Sequence, residues 1–146
     1  GVSVNKERAV ELYQLAADKG HTSATFNLAL CYKCGEGVSV NKERAVELYQ
    51  LAADKGHAAA TNSLAYCYQY GDGVRVNMEK AVELYQLAAD KGHAGATNNL
   101  AYCYYIGDGV RVNMEKAVEL YQLAADKGHA GATYNLARCY DDGEGV

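Results

Sequence analysis

The stretch AVELYQLAADKGH occupies residues 9–21 and returns without change at 45–57, 81–93 and 117–129. Around it Gly-Val recurs at Gly1, Gly37, Gly73, Gly109 and Gly145, a constant period of 36. Self-similarity at such a period is the mark of a solenoid or array, in which each unit buries its apolar face only against its neighbours. The units are 1–36, 37–72, 73–108 and 109–144, with a fifth begun at Gly145-Val146. Ala9, Leu12, Tyr13, Ala16 and Ala17 fall at 3.6-residue spacing. Asn5 is an N-cap residue, Glu7 lies in the first turn and Gly20 follows the last, so a helix is predicted over 6–19. A second helix, 22–34, gathers Ala24, Leu28, Cys31 and Tyr32 on one side, and Gly35-Glu36-Gly37-Val38 ends it. Applied to every unit, this predicts eight helices: 6–19, 22–34, 42–55, 58–70, 78–91, 94–106, 114–127 and 130–141. The connections are short, so successive helices run antiparallel.

Composition agrees with a folded all-α chain. Hydrophobic residues are 49% and charged residues 22% of 146, which is neither disordered nor collagen-like. Lys and Arg number 14 against 18 Asp and Glu, a formal net charge of −4. That balance gives no basic footprint for nucleic acid. No apolar run reaches the ~20 residues of a membrane helix, so membrane insertion is not expected. Gly1-Val2-Ser3-Val4-Asn5 lacks the basic and apolar segments of a signal peptide.

The reactive residues share the repeat. His21, His57, His93 and His129 stand at the same helix entrance in each unit. Helix packing holds equivalent positions about 10 Å apart, whereas a metal needs ligands converging at ~2 Å. They read as polar residues satisfying a turn, and no metal, cofactor or catalytic residue is expected. Cys31, Cys67, Cys103 and Cys139 share the face of the core leucines, and neighbours in register exceed the ~7 Å Cα limit of a disulfide. They read as small buried hydrophobes, and reduced cysteines favour an intracellular compartment. Cys31-Tyr32-Lys33-Cys34 is formally C-x-x-C but has neither a second pair nor a strand context.

The pattern Ala24-x3-Leu28-x3-Tyr32-x2-Gly35-x-Gly37-Val38, followed by Asn41-x3-Ala45 and Ala52-Ala53-x2-Gly56-His57, resembles the Sel1-like repeat and recurs in phase along the chain. Ala29, Ala65, Ala101 and Ala137 depart from it where the family often has Gly, and Leu48 where an aromatic is common. The resemblance implies an all-α, right-handed superhelical solenoid related to tetratricopeptide arrays, here one array over 1–146, and a role as scaffold or adaptor. The 36-residue period favours it over the tetratricopeptide repeat, whose period is about 34. Family members with a Cys pair per repeat and β-lactam-related activity would place that pair near Ala17 and Thr25, and neither is Cys. In the family frame a unit begins at the 22–34 helix, so the chain opens and closes on half units, with no polar capping repeat at either end. A piece of a longer array, or an engineered array, is the expectation.

The four units differ from one another mainly on one arc. From 23 to 34, positions 23, 26, 27, 30, 33 and 34 vary while 24, 25, 28, 29, 31 and 32 do not, and at ~100° per residue the varying six span about 120°. Glu11, Gln14 and Asp18 on the neighbouring helix are identical in every unit, so exposure alone does not account for the pattern. In a Sel1-like array this arc would line the concave side, the usual binding surface of solenoids. It carries Phe26, Asn27, Leu30 and Lys33, then Asn62, Tyr66, Gln69 and Tyr70. In the third unit it carries Asn98, Asn99, Tyr102, Tyr105 and Ile106, and in the fourth Tyr134, Asn135 and Arg138, with Asp141 and Asp142 beyond. Aromatics flanked by amides suit a protein or an extended peptide as partner, the Asn side chains bracketing its backbone. Tyr13, Tyr32 and their equivalents, the same in every unit, read as inter-helix core. The expected function is a non-catalytic binding scaffold. The alternatives are an array that self-associates end to end through its uncapped terminal helices, and, behind it, a β-lactam hydrolase.

Overall fold

The computed structural model describes residues 4–146. Gly1, Val2 and Ser3, which carry the first Gly-Val of the period and most of the segment read for a signal peptide, lie outside the described residues. Eight helices and no strand are found among the described residues: α1 (Lys6–Asp18), α2 (Thr22–Cys34), α3 (Lys42–Asp54), α4 (Ala58–Tyr70), α5 (Met78–Asp90), α6 (Ala94–Ile106), α7 (Met114–Asp126) and α8 (Ala130–Asp142). Each odd helix is one residue shorter than predicted. Lys19 donates its N–H to the Ala16 carbonyl, a tighter turn that closes α1 at Asp18, and the same happens at Lys55, Lys91 and Lys127. The last helix runs one residue longer, to Asp142.

The caps explain the repeated motif. Asn5, Asn41, Asn77 and Asn113 each accept the third helical N–H, at 2.9–3.0 Å. At the far end of α7, Gly128 takes φ +87°, its N–H reaches the Ala125 carbonyl and the His129 N–H reaches the Ala124 carbonyl. This is a Schellman closure. His129 at once caps α8, its Nδ1 accepting from the Ala132 N–H at 3.0 Å. His21, His57 and His93 do the same for α2, α4 and α6. One Lys-Gly-His therefore stops one helix and starts the next, and it stands unchanged in all four units. Buried Thr25, Thr61 and Thr97 return their hydroxyls to the carbonyls of those same histidines.

The chain divides into two compact units, one up to Val76 and the other Asn77–Val146, each holding two helical pairs. In the first, α2 packs between α1 and α3, and α3 against α4; in the second, α6 packs between α5 and α7, and α7 against α8. The core of the first is Leu28, Leu48, Tyr49 and Leu64, with Ala29, Ala52 and Ala65 fully buried beside them. The core of the second is Tyr85, Leu100, Tyr121, Ala101 and Ala124. Each large side chain so buried contributes roughly 1.5–3 kcal/mol. The recurring Gly-Val is a close approach: Gly109, at φ +71°, lies directly on the carbonyl of Met78.

Candidate functional site

Within each unit the varying arc lies on the even helices, set by the α2–α3 and α6–α7 packing that buries the unvarying side. In the first unit Lys33, Tyr66 and Tyr70 are exposed, and Asn27, Leu30 and Asn62 are half-buried. The Lys33 ammonium sits 5.6 Å from the centre of the Tyr66 ring, which packs on Tyr70 at 4.6 Å. One expectation is corrected. Gln69 is only 3% exposed, so it does not present itself to a partner. A helical angle gives the arc, whereas neighbours in space decide which of its edge positions are covered. Phe26 is half-buried because its ring lies 4.7 Å from His57 and 5.9 Å from Tyr49, which makes it part of the helix junction.

In the second unit Tyr102, Ile106, Tyr134 and Arg138 are exposed, and Asn98, Asn99, Tyr105 and Asn135 half-buried. The Asn135 amide donates to the Asn98 carbonyl oxygen at 3.1 Å. These two side chains therefore satisfy each other, which narrows the picture of amides bracketing a peptide. The Arg138 guanidinium donates to the Tyr134 hydroxyl at 3.4 Å and lies 3.8 Å from Asp142. Tyr105 is hydrogen-bonded to Glu144, and this bond holds the phenol above its ordinary value.

Two clefts open on this arc. One, of about 160 Å³, is walled by Tyr102 and Tyr105 of α6, Tyr121 of α7 and Asn135, Arg138 and Cys139 of α8. The other, of about 210 Å³, lies between α1 and α2 against Tyr13, Asn27, Leu30 and Cys31, with Lys6 and Glu36 at its rim. Tyr13, Asn27, Leu30 and Cys31 are in register with Tyr121, Asn135, Arg138 and Cys139, so both clefts use the same seam of the repeat. The unvarying wall residues Tyr13, Tyr121, Cys31 and Cys139 read from sequence as core, and the loop acid Glu36 lies outside the window where the units differ. Tyr49, Tyr85 and Tyr121 are buried as expected, but Tyr32, Tyr68 and Tyr104 are only half-buried and Tyr140 is exposed.

The cysteines are free, Cys67, Cys103 and Cys139 buried, Cys31 half-buried and Cys34 exposed. Burial pushes the thiols of Cys67 and Cys103 up to about 11, the wrong direction for a nucleophile. Among the described residues no three His, Cys, Asp or Glu side chains converge as a metal site. No helix of the described residues is long and apolar enough to cross a membrane.

Comparison with known proteins places these features. The Sel1 repeat matches residues 1–21, 22–57, 58–93, 94–129 and 130–146, with units opening at the even helices. A crystal structure of a Sel1 repeat protein from Oxalobacter formigenes is 36% identical, with a TM-score of 0.95 over 100% of this chain and 58% of that one. The protein c5321, a protective antigen present in uropathogenic Escherichia coli strains, is 34% identical, with a TM-score of 0.92 over 97% of this chain and 30% of that one. Cysteine-rich protein B of Helicobacter pylori shares the fold at 22% identity and a TM-score of 0.70, covering 93% of this chain and 100% of its own. The chain thus spans little more than half of the first of these proteins and under a third of the second. No curated protein sequence matches it.

Proposed function

We propose, given that this chain belongs to the Sel1 repeat family, that it is a non-catalytic scaffold which binds a protein or an extended peptide on the varying arc of its even helices. One observation carries the reading. Tyr66, Tyr70, Tyr102, Ile106 and Tyr134 are each at least 40% exposed, and all stand at positions where the four units differ. A single exposed apolar residue needs no explanation, but tyrosines recurring on the same arc of successive even helices are the side chains that anchor interfaces. Exposed Leu15, Leu51, Leu87 and Leu123 are the same in every unit, so the repeat itself accounts for them. Burial raises the Cys67 and Cys103 thiols, the wrong direction for either to act as a nucleophile.

The test is selection from a displayed random-peptide library against the parent and against a Tyr66→Ala, Tyr102→Ala variant, with circular dichroism confirming that both are folded. A consensus recovered by the parent and lost by the variant is expected. No consensus, or one the variant keeps, overturns the reading. A second reading, self-association, draws on one observation: Leu12 of α1 is 48% exposed, whereas its equivalents Leu48, Leu84 and Leu120 are 2%, 7% and 8% exposed against a neighbouring helix. A size that grows with concentration in sedimentation, and returns to the monomer in Leu12→Lys, would favour it.

A further inference from the structure

We propose that the cleft between α6, α7 and α8 receives a cationic side chain, arginine or lysine, of an extended peptide. This deepens the peptide-binding reading above and rests on it.

Residues up to 76 carry eight basic and eight acidic side chains, and residues 77–146 carry six and ten, so the whole net charge of −4 belongs to the second unit. The excess comes from few positions. Asp141 and Asp142 end α8, on the varying arc. Met78 and Met114 stand where the first unit has Lys6 and Lys42. In the first unit those lysines neutralise the loop acids, Lys6 with Glu36 at 3.3 Å and Lys42 with Asp72 at 2.9 Å. Glu144 is in register with Glu36 and Asp72, but Met114 stands where its lysine would be. It bonds to Tyr105 instead, and its Oε2 is buried without a hydrogen-bond partner. A buried carboxylate oxygen left without a donor is costly, and a bound cation relieves it.

The first unit shows what fits this seam. There its own Lys33 lies over Tyr66. The same two register positions in the second unit hold Tyr105 and Arg138, aromatic and cation exchanged, and Arg138 is drawn to Tyr134 and Asp142. The rings of Tyr102 and Tyr105 are left lining an open cleft. Carboxylates act on this wall: the hydrogen bond to Glu144 holds the Tyr105 phenol up, and the Cys139 thiol, raised first by burial, is raised further by Glu144 and Asp142. Tyrosine faces beside carboxylates attract guanidinium or ammonium by the ring quadrupole as well as by charge.

The test is titration of the ¹⁵N-labelled chain with three peptides, acetyl-GSRSRSG-amide, acetyl-GSESESG-amide and acetyl-GSLSYSG-amide. The arginine peptide is expected to shift the amides of Tyr102, Tyr105 and Asn135, and to weaken several-fold between 50 and 200 mM salt, about the range over which screening sharpens. Its Kd should rise roughly three-fold in Glu144→Gln and in Tyr105→Ala, the scale of one cation–π contact, and stay within two-fold in Tyr105→Phe. Met114→Lys, which gives Glu144 an internal cation, should also weaken it about three-fold without removing any cleft residue. Preference for the neutral or acidic peptide at those amides overturns the cationic occupant and leaves the peptide-binding reading standing. Arginine-peptide shifts spread over the whole acidic surface, or unchanged by Met114→Lys and Tyr105→Ala, overturn the cleft as the site. If no peptide moves any amide of the varying arc, both readings fall.

Discussion

Gly109→Ala tests whether the Gly-Val of each unit marks a close contact between backbones, and Gly128→Ala supplies its internal standard. Both glycines have positive φ, +71° and +87°, so both variants place an alanine in the left-handed region at roughly 1–2 kcal/mol, partly offset by the reduced entropy of the unfolded chain. Their surroundings differ. A Cβ at Gly128 meets nothing within 4 Å. One at Gly109 falls on the carbonyl oxygen of Met78, 2.6 Å from its carbon and 2.9 Å from Val82 Cγ2. The obstacle is helix backbone, not the tip of a flexible side chain, so the loop after α6 must lift away from the first turn of α5. Overpacking of that kind costs about 1–3 kcal/mol beyond the dihedral term. The expectation is therefore a loss of about 1 kcal/mol for Gly128→Ala and about 2–5 kcal/mol for Gly109→Ala. At about 2–4 °C per kcal/mol, the second should melt about 4–20 °C lower, and the first only a few degrees. Thermal and urea unfolding followed by circular dichroism reads both. Equal losses would refute the reasoning, since they would mean that the Gly109 position asks only for a permissive φ.

Other consequences are as specific. His57→Ala removes the Nδ1 acceptor at 3.0 Å from the Ala60 N–H and the ring against Phe26, and should lower urea stability by about 1–2 kcal/mol, largely restored by His57→Asn. Leu48→Ala should cost about 3 kcal/mol in the same assay and Leu12→Ala under about 1, because one register position is 2% exposed in α3 and 48% in α1. Equal losses at the two leucines would contradict the packing described. Burial raises Cys67 and Cys103 from 9.0 to about 11, and raises Tyr49 and Tyr121 as well. Raised groups stabilise fully below their unfolded values, and the cysteine contribution is lost as pH climbs from about 9 through 11. Each cysteine is worth at most about 3 kcal/mol there. The unfolding midpoint should hold steady from pH 7 to 8 and fall steeply from 9 to 11, and Cys67→Ala, Cys103→Ala should flatten the first part of that fall.

The helices were legible in the sequence because their signals are local. Asn, Gly and His mark the ends through hydrogen bonds to residues three to five positions away, and the 3.6-residue spacing marks the buried side. What the sequence hid depends on distance in space. Gln69 and Lys33 share a register position, yet one is buried and the other exposed, since covering depends on the elements around each helix. Glu11 stands four residues after Glu7, a like-charge spacing that gains nothing. The structure pairs it with Arg8 at 2.7 Å, as it pairs Glu47 with Arg44 at 2.9 Å. The cleft in the second unit was only partly visible, because Tyr121 is unvarying and Glu144, the partner of its wall residue Tyr105, lies in a loop beyond the helix whose variation drew attention.

The identity of the odd helices also acquires a cause that bears on how their contrast with the even helices is read. In each unit the Gln side chain, such as Gln14, donates to the Asp four residues on, such as Asp18, at 2.7–2.8 Å. Exposed pairs at this spacing are worth only about 0.2–0.5 kcal/mol, too little to forbid change. Half-exposed Leu15, Leu51, Leu87 and Leu123, with no such bond, are equally unvarying. Weak local bonds therefore account for part of the sameness and leave the contrast itself in place. On the even helices substitution has moved tyrosine, lysine, arginine and aspartate through positions whose exposure runs from 3% at Gln69 to 62% at Tyr134. Packing alone would confine such a range to similar side chains at similar burial. A surface shaped by what it meets would not, and the carboxylate of Glu144, parted from its lysine by Met114, is the residue at which the two accounts predict different chemistry.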